Sequence, residues 1–179
     1  MIVLVGLMVG LGFGGADQYL GSLPAEHWAT SVSLLSAPWL VLPFLFGYTQ
    51  TTVRRSAWIG LLVTVAALVG YAVMTLSPIE GARLTLTGFV GFVRSDPRVI
   101  FGGLVSGPLY GWLGHRWRTR RAWASAALVA GAVCFEPLAE RAFGQLPSPS
   151  AVWQTEIGIG VLMGLIFVAM GVGYRRRSA

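Results

Sequence analysis

Charged residues in this chain are sorted between the gaps that separate its long apolar runs. Arginine clusters occupy alternate gaps, at residues 54–55, 116–121 and 175–177. The acidic residues fall in or beside the other gaps: Asp17, Glu26, Glu80, Asp96, Glu136, Glu140 and Glu156. Arginine-rich loops of membrane proteins stay on the cytoplasmic side, so this alternation predicts a series of membrane spans together with their orientation.

Apolar residues make up 55% of the 179 positions and charged residues only 11%, whereas a soluble domain carries about 25% charged residues. The apolar runs leave no room for a soluble domain, so we expect one integral membrane domain over residues 1–179. Runs that approach the roughly 20 residues of a span predict an all-α, polytopic bundle of six transmembrane helices. The predicted spans are residues 2–19, 30–49, 57–77, 99–117, 122–138 and 152–174.

The arginine clusters place the loops after the second and fourth predicted spans, and both termini, in the cytoplasm. The first apolar run lacks a preceding basic region, so we expect it to be kept as a span and not cleaved as a signal peptide. The predicted location is therefore the cell (plasma) membrane, which the chain crosses several times with the lipid bilayer as its main partner.

Several kinds of chemistry have no support in the sequence. Most of the 13 basic residues lie in the three clusters between spans, where the gaps are too short to form a nucleic-acid-binding surface. Cys134 is the only cysteine and the two histidines are isolated, so we expect no metal site. No hydrolase, phosphate-binding or dinucleotide-binding motif is present, so we expect no cofactor, and an enzyme is the less favoured interpretation.

Carboxylates accumulate on the predicted outer side, and they are the main functional indication. A carboxylate in or beside a span is costly to insert unless it faces a cavity or a partner. Together with two amides, three of them form the predicted ligand-binding set: Asp17, Gln18, Glu136, Gln154 and Glu156. Two of the acids also have a plain structural interpretation: Asp17 as a helix-end side chain that reaches headgroup water, and Glu136 as part of a surface charge network with Glu140 and Arg141. Whether these residues converge does not follow from the sequence.

Glycines recur at every fourth residue in the first and fourth predicted spans, which places each row on one helical face. The rows are Gly6, Gly10 and Gly14, and Gly103, Gly107 and Gly111. Two interpretations stay open: close packing inside the bundle, or a surface that docks a membrane partner subunit or a second copy of the chain.

Two further features concern the shape of the bundle. Pro38 and Pro43 predict a kink in the second span, because each removes a backbone hydrogen bond.

The predicted outer loop over residues 78–98 is long and half apolar. Its alternation at residues 84–87 allows a strand, and a short helix on the membrane surface is equally compatible. In either form we expect it to pack on the membrane or to cover a cavity.

The stretches GLGFGGADQYLGSL, SAPWLVLPFLFGYTQ and GGLVSGPLYGWLGHRWRTRR resemble a family of small multi-spanning membrane proteins from high-GC bacteria that has no assigned function. In layout the chain is also similar to the S-components of energy-coupling-factor vitamin transporters. That similarity implies six helices, outer loops that cover a pocket, and small residues on the first helix that contact a transmembrane partner. It is an analogy of fold and carries over no binding residue.

Three functions are compatible with these features. The favoured one is binding or transport of a small solute through an outward-facing pocket, where the carboxylates favour a cation. The second is a membrane-embedded enzyme that uses a carboxylate pair as general acid and base. The third is a non-catalytic subunit of a membrane complex, with the glycine rows as its interface.

Overall fold

The computed structural model describes residues 1–23, 27–95, 97–142 and 150–177. All regular structure in these ranges is helical, which confirms the predicted all-α class. The elements are α1 (Ile2–Gly21), α2 (His27–Ser33), α3 (Ala37–Tyr48), α4 (Val53–Thr75), α5 (Leu86–Ser95), α6 (Pro97–Arg120), α7 (Trp123–Ala142) and α8 (Ser150–Arg177), with a short 3₁₀ helix at Pro78–Glu80.

Three helical stretches in the described part are long and apolar enough to cross a membrane: Ile2–Gly21, Val53–Thr75 and Val152–Gly171. Much of their apolar surface is exposed in the described part of the chain. Only 11% of the most apolar stretch of α8 is buried, and Leu162 and Leu165 on that helix are 56% and 61% exposed. Exposed apolar surface of this extent on long helices is typical of a membrane protein.

The central element is α4, against which α1, α3 and α6 pack. Its buried residues are mostly small, and they include Ser56, Gly60, Ala67 and Gly70. Helices in a membrane gain stability from close van der Waals contact, which small residues permit. The sequence of α4 therefore explains why two glycine-rich helices, α1 and α6, approach it on different faces.

The second predicted span consists of two helices, α2 and α3, and not of one kinked helix. The break covers residues 34–36. Pro38 lies in the first turn of α3, where its missing N–H would have had no partner within the helix. It therefore starts a helix instead of bending one. Pro43 lies inside α3 and is buried.

An aromatic cluster joins the α7–α8 pair to the rest of the bundle. Trp117 of α6 and Phe44 of α3 are almost fully buried, at 0% and 1% exposure. The Phe167 ring of α8 lies 5.1 Å from the Trp117 ring and 5.7 Å from the Phe44 ring, both in edge-to-face geometry. Aromatic pairs at these distances contribute about 0.5–1.5 kcal/mol beyond area burial.

The predicted outer loop contains the 3₁₀ helix and α5, so the helical alternative for this segment is the one that forms. Most residues of α5 are exposed, and its contacts with the bundle are few. Of the acids assigned to the outer side, Glu26 and Asp96 lie outside the described residues, as do positions 143–149 of the last predicted outer loop.

Candidate functional site

A cavity of about 660 Å³ lies where the C-terminal ends of α1 and α4 meet the N-terminal half of α6. The break between α2 and α3 forms part of its wall, and two residues of α5 reach it. Its size is within the range of about 300–1,000 Å³ that is usual for small-molecule sites. The described lining residues are Asp17, Gln18, Ser33, Leu34, Leu35, Ser36, Trp39, Leu40, Leu68, Tyr71, Thr75, Phe92, Ser95, Val99, Ile100, Gly102, Gly103 and Ser106.

Asp17 is held on the cavity wall by the packing of α1. The buried residues of α1 are the three glycines of its row and Asp17. Asp17 comes three residues after Gly14, so it continues the same helical face toward α4. The side chain is only 9% exposed, and its Oδ2 accepts a hydrogen bond from Trp39 Nε1 at 3.3 Å. The glycine row thus carries a carboxylate into the interior of the bundle.

Aromatic rings form a continuous wall beside this carboxylate. The Trp39 ring lies 6.2 Å from the Tyr71 ring, which in turn lies 6.0 Å from the Phe92 ring. All three residues line the cavity. Phe13 supports the wall from α1, with its ring 5.2 Å from that of Trp39. Three different helices, α3, α4 and α5, each supply one ring, so the wall depends on the assembled fold.

Glu136 of α7 acts on the cavity through the start of α3. Its carboxylate accepts hydrogen bonds from the backbone N–H groups of Ser36 and Ala37, the second at 2.6 Å. The first N–H groups of a helix have no partner within the helix and carry partial positive charge. Glu136 satisfies two of them, and it thereby fixes the helix break that forms one wall of the cavity.

The other predicted ligand residues have different positions. Gln18 lines the cavity beside Asp17. Gln154 is exposed on α8. Glu156 is buried, at 3% exposure, and it precedes by one turn Gly160, which faces Cys134 of α7. Among the described residues, Asp17 and Gln18 are therefore brought to one site, while Glu136, Gln154 and Glu156 are not part of its lining.

The glycine rows both face α4. A Cβ atom added at Gly10 or Gly14 would meet backbone atoms of Val63 or Ala67. On the other face of α4, a Cβ at Gly107 would meet the Thr64 side chain, and one at Gly111 would meet the Ser56 carbonyl. Gly6 and Gly103 continue the two rows, beside Val63 and Leu68 respectively. The rows therefore contact a helix of the same chain.

A comparison with protein-family models gives a match over the full length of the chain. A model described as "Family of unknown function (DUF6518)" matches residues 1–179. This chain belongs to that family. The chain matches none of the curated proteins and none of the solved structures with which it was compared. Membership of DUF6518 agrees with the expected family without an assigned function, while the likeness to vitamin-transporter S-components stays a prediction.

The family model transfers no functional residue, so the DUF6518 site rests on geometry. In the described part of the chain, no group of three or more histidine, cysteine or acidic side chains is placed to hold a metal ion. The chemical resources of the cavity are one buried carboxylate, an amide, several hydroxyl groups and an aromatic wall. Such a set can bind and orient a small molecule by charge, hydrogen bonding and apolar contact.

Sequence reasoning missed the aromatic wall. Trp39 lies near the middle of the second predicted span, away from the interfaces that tryptophan prefers. A buried indole N–H needs an acceptor, so a tryptophan in the middle of a span could have indicated a polar partner inside the bundle. Tyr71 and Phe92 carry no comparable indication. Their role depends on how α4 and α5 are placed in three dimensions.

Proposed function

We propose that this protein is a six-span integral membrane protein with both termini in the cytoplasm, and that it binds a small solute from the outer side. The arginine and acid distribution supports the orientation. Packing supports α6 as a further span. The row from Gly103 to Gly111 follows α4 from Leu68 to Ser56, so a bilayer that contains α4 also contains this stretch of α6.

The observation that carries the proposed function is the cavity of about 660 Å³ with Asp17 buried in its wall. In the proposed orientation the ends of α1 and α4 and the start of α6 are at the outer face, so the cavity is reached from outside. A buried carboxylate in a membrane domain is expensive to maintain, and its usual use is to bind a substrate, an ion or a proton. Solute binding accounts for both the cavity and the acid.

In this proposal α5 is the cover of the cavity. It supplies Phe92 and Ser95 to the lining, and it exposes Leu86, Phe89 and Val93 at 80%, 40% and 39%. A short amphipathic helix with such a face suits the membrane interface. Because α5 packs weakly on the bundle, its displacement offers a route by which solute enters.

The two alternative functions have less support. An acid–base pair needs a second carboxylate beside Asp17, and among the described lining residues Asp17 is the only acid. A glycine interface with another subunit needs an accessible row, and both rows contact α4. Solute binding therefore remains the function that the geometry supports best.

Native mass spectrometry of the protein extracted gently from its host membrane tests the proposal. Gly102 lines the cavity, and a Cβ there meets nothing within 4 Å, so Gly102→Phe adds a ring without a backbone clash. Gly12 is equally open but does not line the cavity, so Gly12→Phe is the matched control. We expect a retained small molecule in the wild type and in Gly12→Phe, and a reduced amount in Gly102→Phe. If each of the three proteins showed only the mass of its own polypeptide, with no ligand retained, the proposal would be contradicted.

A further inference from the structure

The charge of the cavity restricts what it can bind. Asp17 is the one charged residue among the described residues that line it, and no arginine or histidine is present there. In the described part of the chain, its carboxylate accepts one hydrogen bond, from the neutral indole of Trp39. A carboxylate offers about four acceptor positions, so acceptor capacity remains for a ligand. A buried charge is costly unless an opposite charge or hydrogen bonds compensate it.

The hydroxyl groups of the cavity reinforce this preference. Ser33, Thr75 and Ser95 donate their hydroxyl hydrogens to carbonyl groups of their own helices, at 2.8–2.9 Å. Ser106 donates in the same way at 3.4 Å. Hydroxyl groups engaged in this manner offer only lone pairs to a ligand. These four hydroxyl groups therefore present acceptors, which suits a ligand that brings N–H groups, and the Asp17 carboxylate disfavours an anion. The other polar side chains among the described lining residues are Gln18, Ser36 and Tyr71.

The remaining surface indicates the rest of the ligand. Aliphatic side chains from α3, α4 and α6 line the cavity, among them Leu40, Leu68 and Ile100. The aromatic wall of Trp39, Tyr71 and Phe92 adds ring surface, which attracts both apolar groups and organic cations. An inorganic cation is a poor fit, because Ca²⁺ takes six to eight oxygen ligands and Mg²⁺ needs octahedral oxygen coordination. The cavity offers a single carboxylate among largely apolar walls.

Resting on the proposed solute-binding function, we infer that the ligand is a protonated organic amine with an apolar or aromatic body. The ammonium group lies at Asp17 and donates to it, and the body contacts the Trp39–Tyr71–Phe92 wall. Asp17 is then the counter-ion that selects a positively charged ligand, and the aromatic wall selects the shape of the ligand body. The inference defines a ligand class by its charge, its donors and its body, and it excludes organic anions and bare metal ions.

The test uses three probes with similar bodies: phenethylamine, phenethyl alcohol and phenylpropionate. Binding is measured by titration calorimetry on the full chain in lipid nanodiscs, with empty nanodiscs to subtract partition into lipid. We expect the amine to bind at least about tenfold more tightly than the alcohol, and the anion not to bind. Asp17→Asn should remove this preference, so that the amine and the alcohol bind with similar affinity.

The outcomes separate this inference from the function on which it rests. If the alcohol or the anion binds as tightly as the amine, or if Asp17→Asn keeps the preference, the ligand class is wrong. If none of the probes binds but native mass spectrometry finds a retained molecule that Gly102→Phe expels, the class is again wrong and solute binding stands. If no probe binds and no molecule is retained, the amine ligand class and the solute-binding function are both overturned.

Discussion

The hydrogen bond between Trp39 and Asp17 links α3 to α1 at the cavity wall. Trp39→Phe removes the indole donor and keeps an aromatic ring beside Phe13 and Tyr71. Hydrogen bonds to charged groups contribute about 1.5–3 kcal/mol, and this one is long, so we expect a loss near 1.5 kcal/mol. The measurement is the free energy of unfolding in mild detergent.

A double-mutant cycle isolates this contact. Asp17→Ala alone and Trp39→Phe alone are compared with the double variant under the same conditions. A coupling free energy of at least about 0.5 kcal/mol is expected for residues in contact. If the two single effects simply add, the contact does not stabilise the wall.

Glu136 is expected to be a positioning residue for the cavity. Gln at this position keeps one acceptor oxygen but replaces the other with a donor, which faces a backbone N–H group of α3. We expect Glu136→Gln to lower the free energy of unfolding by about 0.5–1.5 kcal/mol, the usual net value of a hydrogen bond, because the Ser36 bond is exposed and the Ala37 bond is only partly buried. It should weaken binding of the amine and the alcohol by the same factor. Asp17→Asn differs because it removes the preference between these two probes.

The neighbouring position supplies the control for Glu136. Phe135 is 65% exposed on the same turn of α7, so Phe135→Ala should leave the stability of the helix start unchanged. A loss of amine preference in Glu136→Gln, with alcohol binding intact, would place Glu136 in the ligand site and contradict its assignment to α3.

The helical face that carries Asp17 was predictable from sequence, and the partner of Glu136 was not. Residues 6, 10, 14 and 17 follow one helical face, so Asp17 was expected to point wherever the glycine row points, although the sequence left open whether that face packs inside the bundle or against a partner. Glu136 binds the backbone of Ser36, which is 100 positions away. No local pattern encodes a contact between a side chain and a distant backbone group, and only the packing of α7 on α3 creates it.

At the scale of the helix, the glycine face of α1 is expected to tolerate no side chain. A Cβ at Gly14 would overlap the backbone of Ala67. Overpacking typically costs 1–3 kcal/mol when side chains can adjust, and backbone adjusts less readily. We therefore expect Gly14→Leu to lower the free energy of unfolding by at least about 3 kcal/mol. Unfolding in mild detergent measures this loss.

The matched variant for this prediction is Gly12→Leu. A Cβ at Gly12 meets nothing within 4 Å, and leucine favours a helix by up to about 1 kcal/mol relative to glycine. This variant should therefore be neutral or more stable. Equal losses of unfolding free energy in Gly12→Leu and Gly14→Leu would show that α1 tolerates leucine poorly along its whole length. The contact with α4 would then not explain the effect at Gly14.

The two ends of α3 show why its start was not predicted. Arg118 donates to the carbonyl groups of Tyr48 and Thr49 at the C-terminal end, at 3.4 and 2.6 Å. Glu136 accepts from the N-terminal end. These charges have the signs that the helix dipole favours. A 12-residue helix is about 18 Å long, so α3 crosses only part of a bilayer and depends on such contacts. The hydropathy of residues 30–49 is that of one continuous apolar run, so the sequence predicted one span where the structure has α2 and α3.

At the scale of the molecule, charge and hydropathy predicted an all-helical membrane domain, and the helices occur near the expected positions. The cavity could not be predicted in the same way. It needs the relative placement of α1, α3, α4, α5 and α6, which depends on which faces pack together. Glycine spacing indicated two close-packing faces, but it did not identify α4 as the helix that both faces contact.

The orientation of the whole bundle is tested by cysteine labelling. With Cys134 replaced by alanine, single cysteines are introduced at Ser22, Thr51, Leu84 and Thr119 and exposed to a membrane-impermeant maleimide on intact cells. Six spans with a cytoplasmic N-terminus predict labelling at Ser22 and Leu84, and protection at Thr51 and Thr119 until the cells are lysed.

The competing arrangement has only α1, α4 and the apolar part of α8 in the bilayer, since these helices alone in the described part meet the length and hydropathy of a span. In that arrangement Ser22 and Thr51 share one side, and Leu84 and Thr119 share the other. The packing of α6 along α4 argues against it, because it would place a helix that contacts a buried span outside the membrane. Shared labelling within those pairs would overturn the six-span topology and the outward opening of the cavity with it.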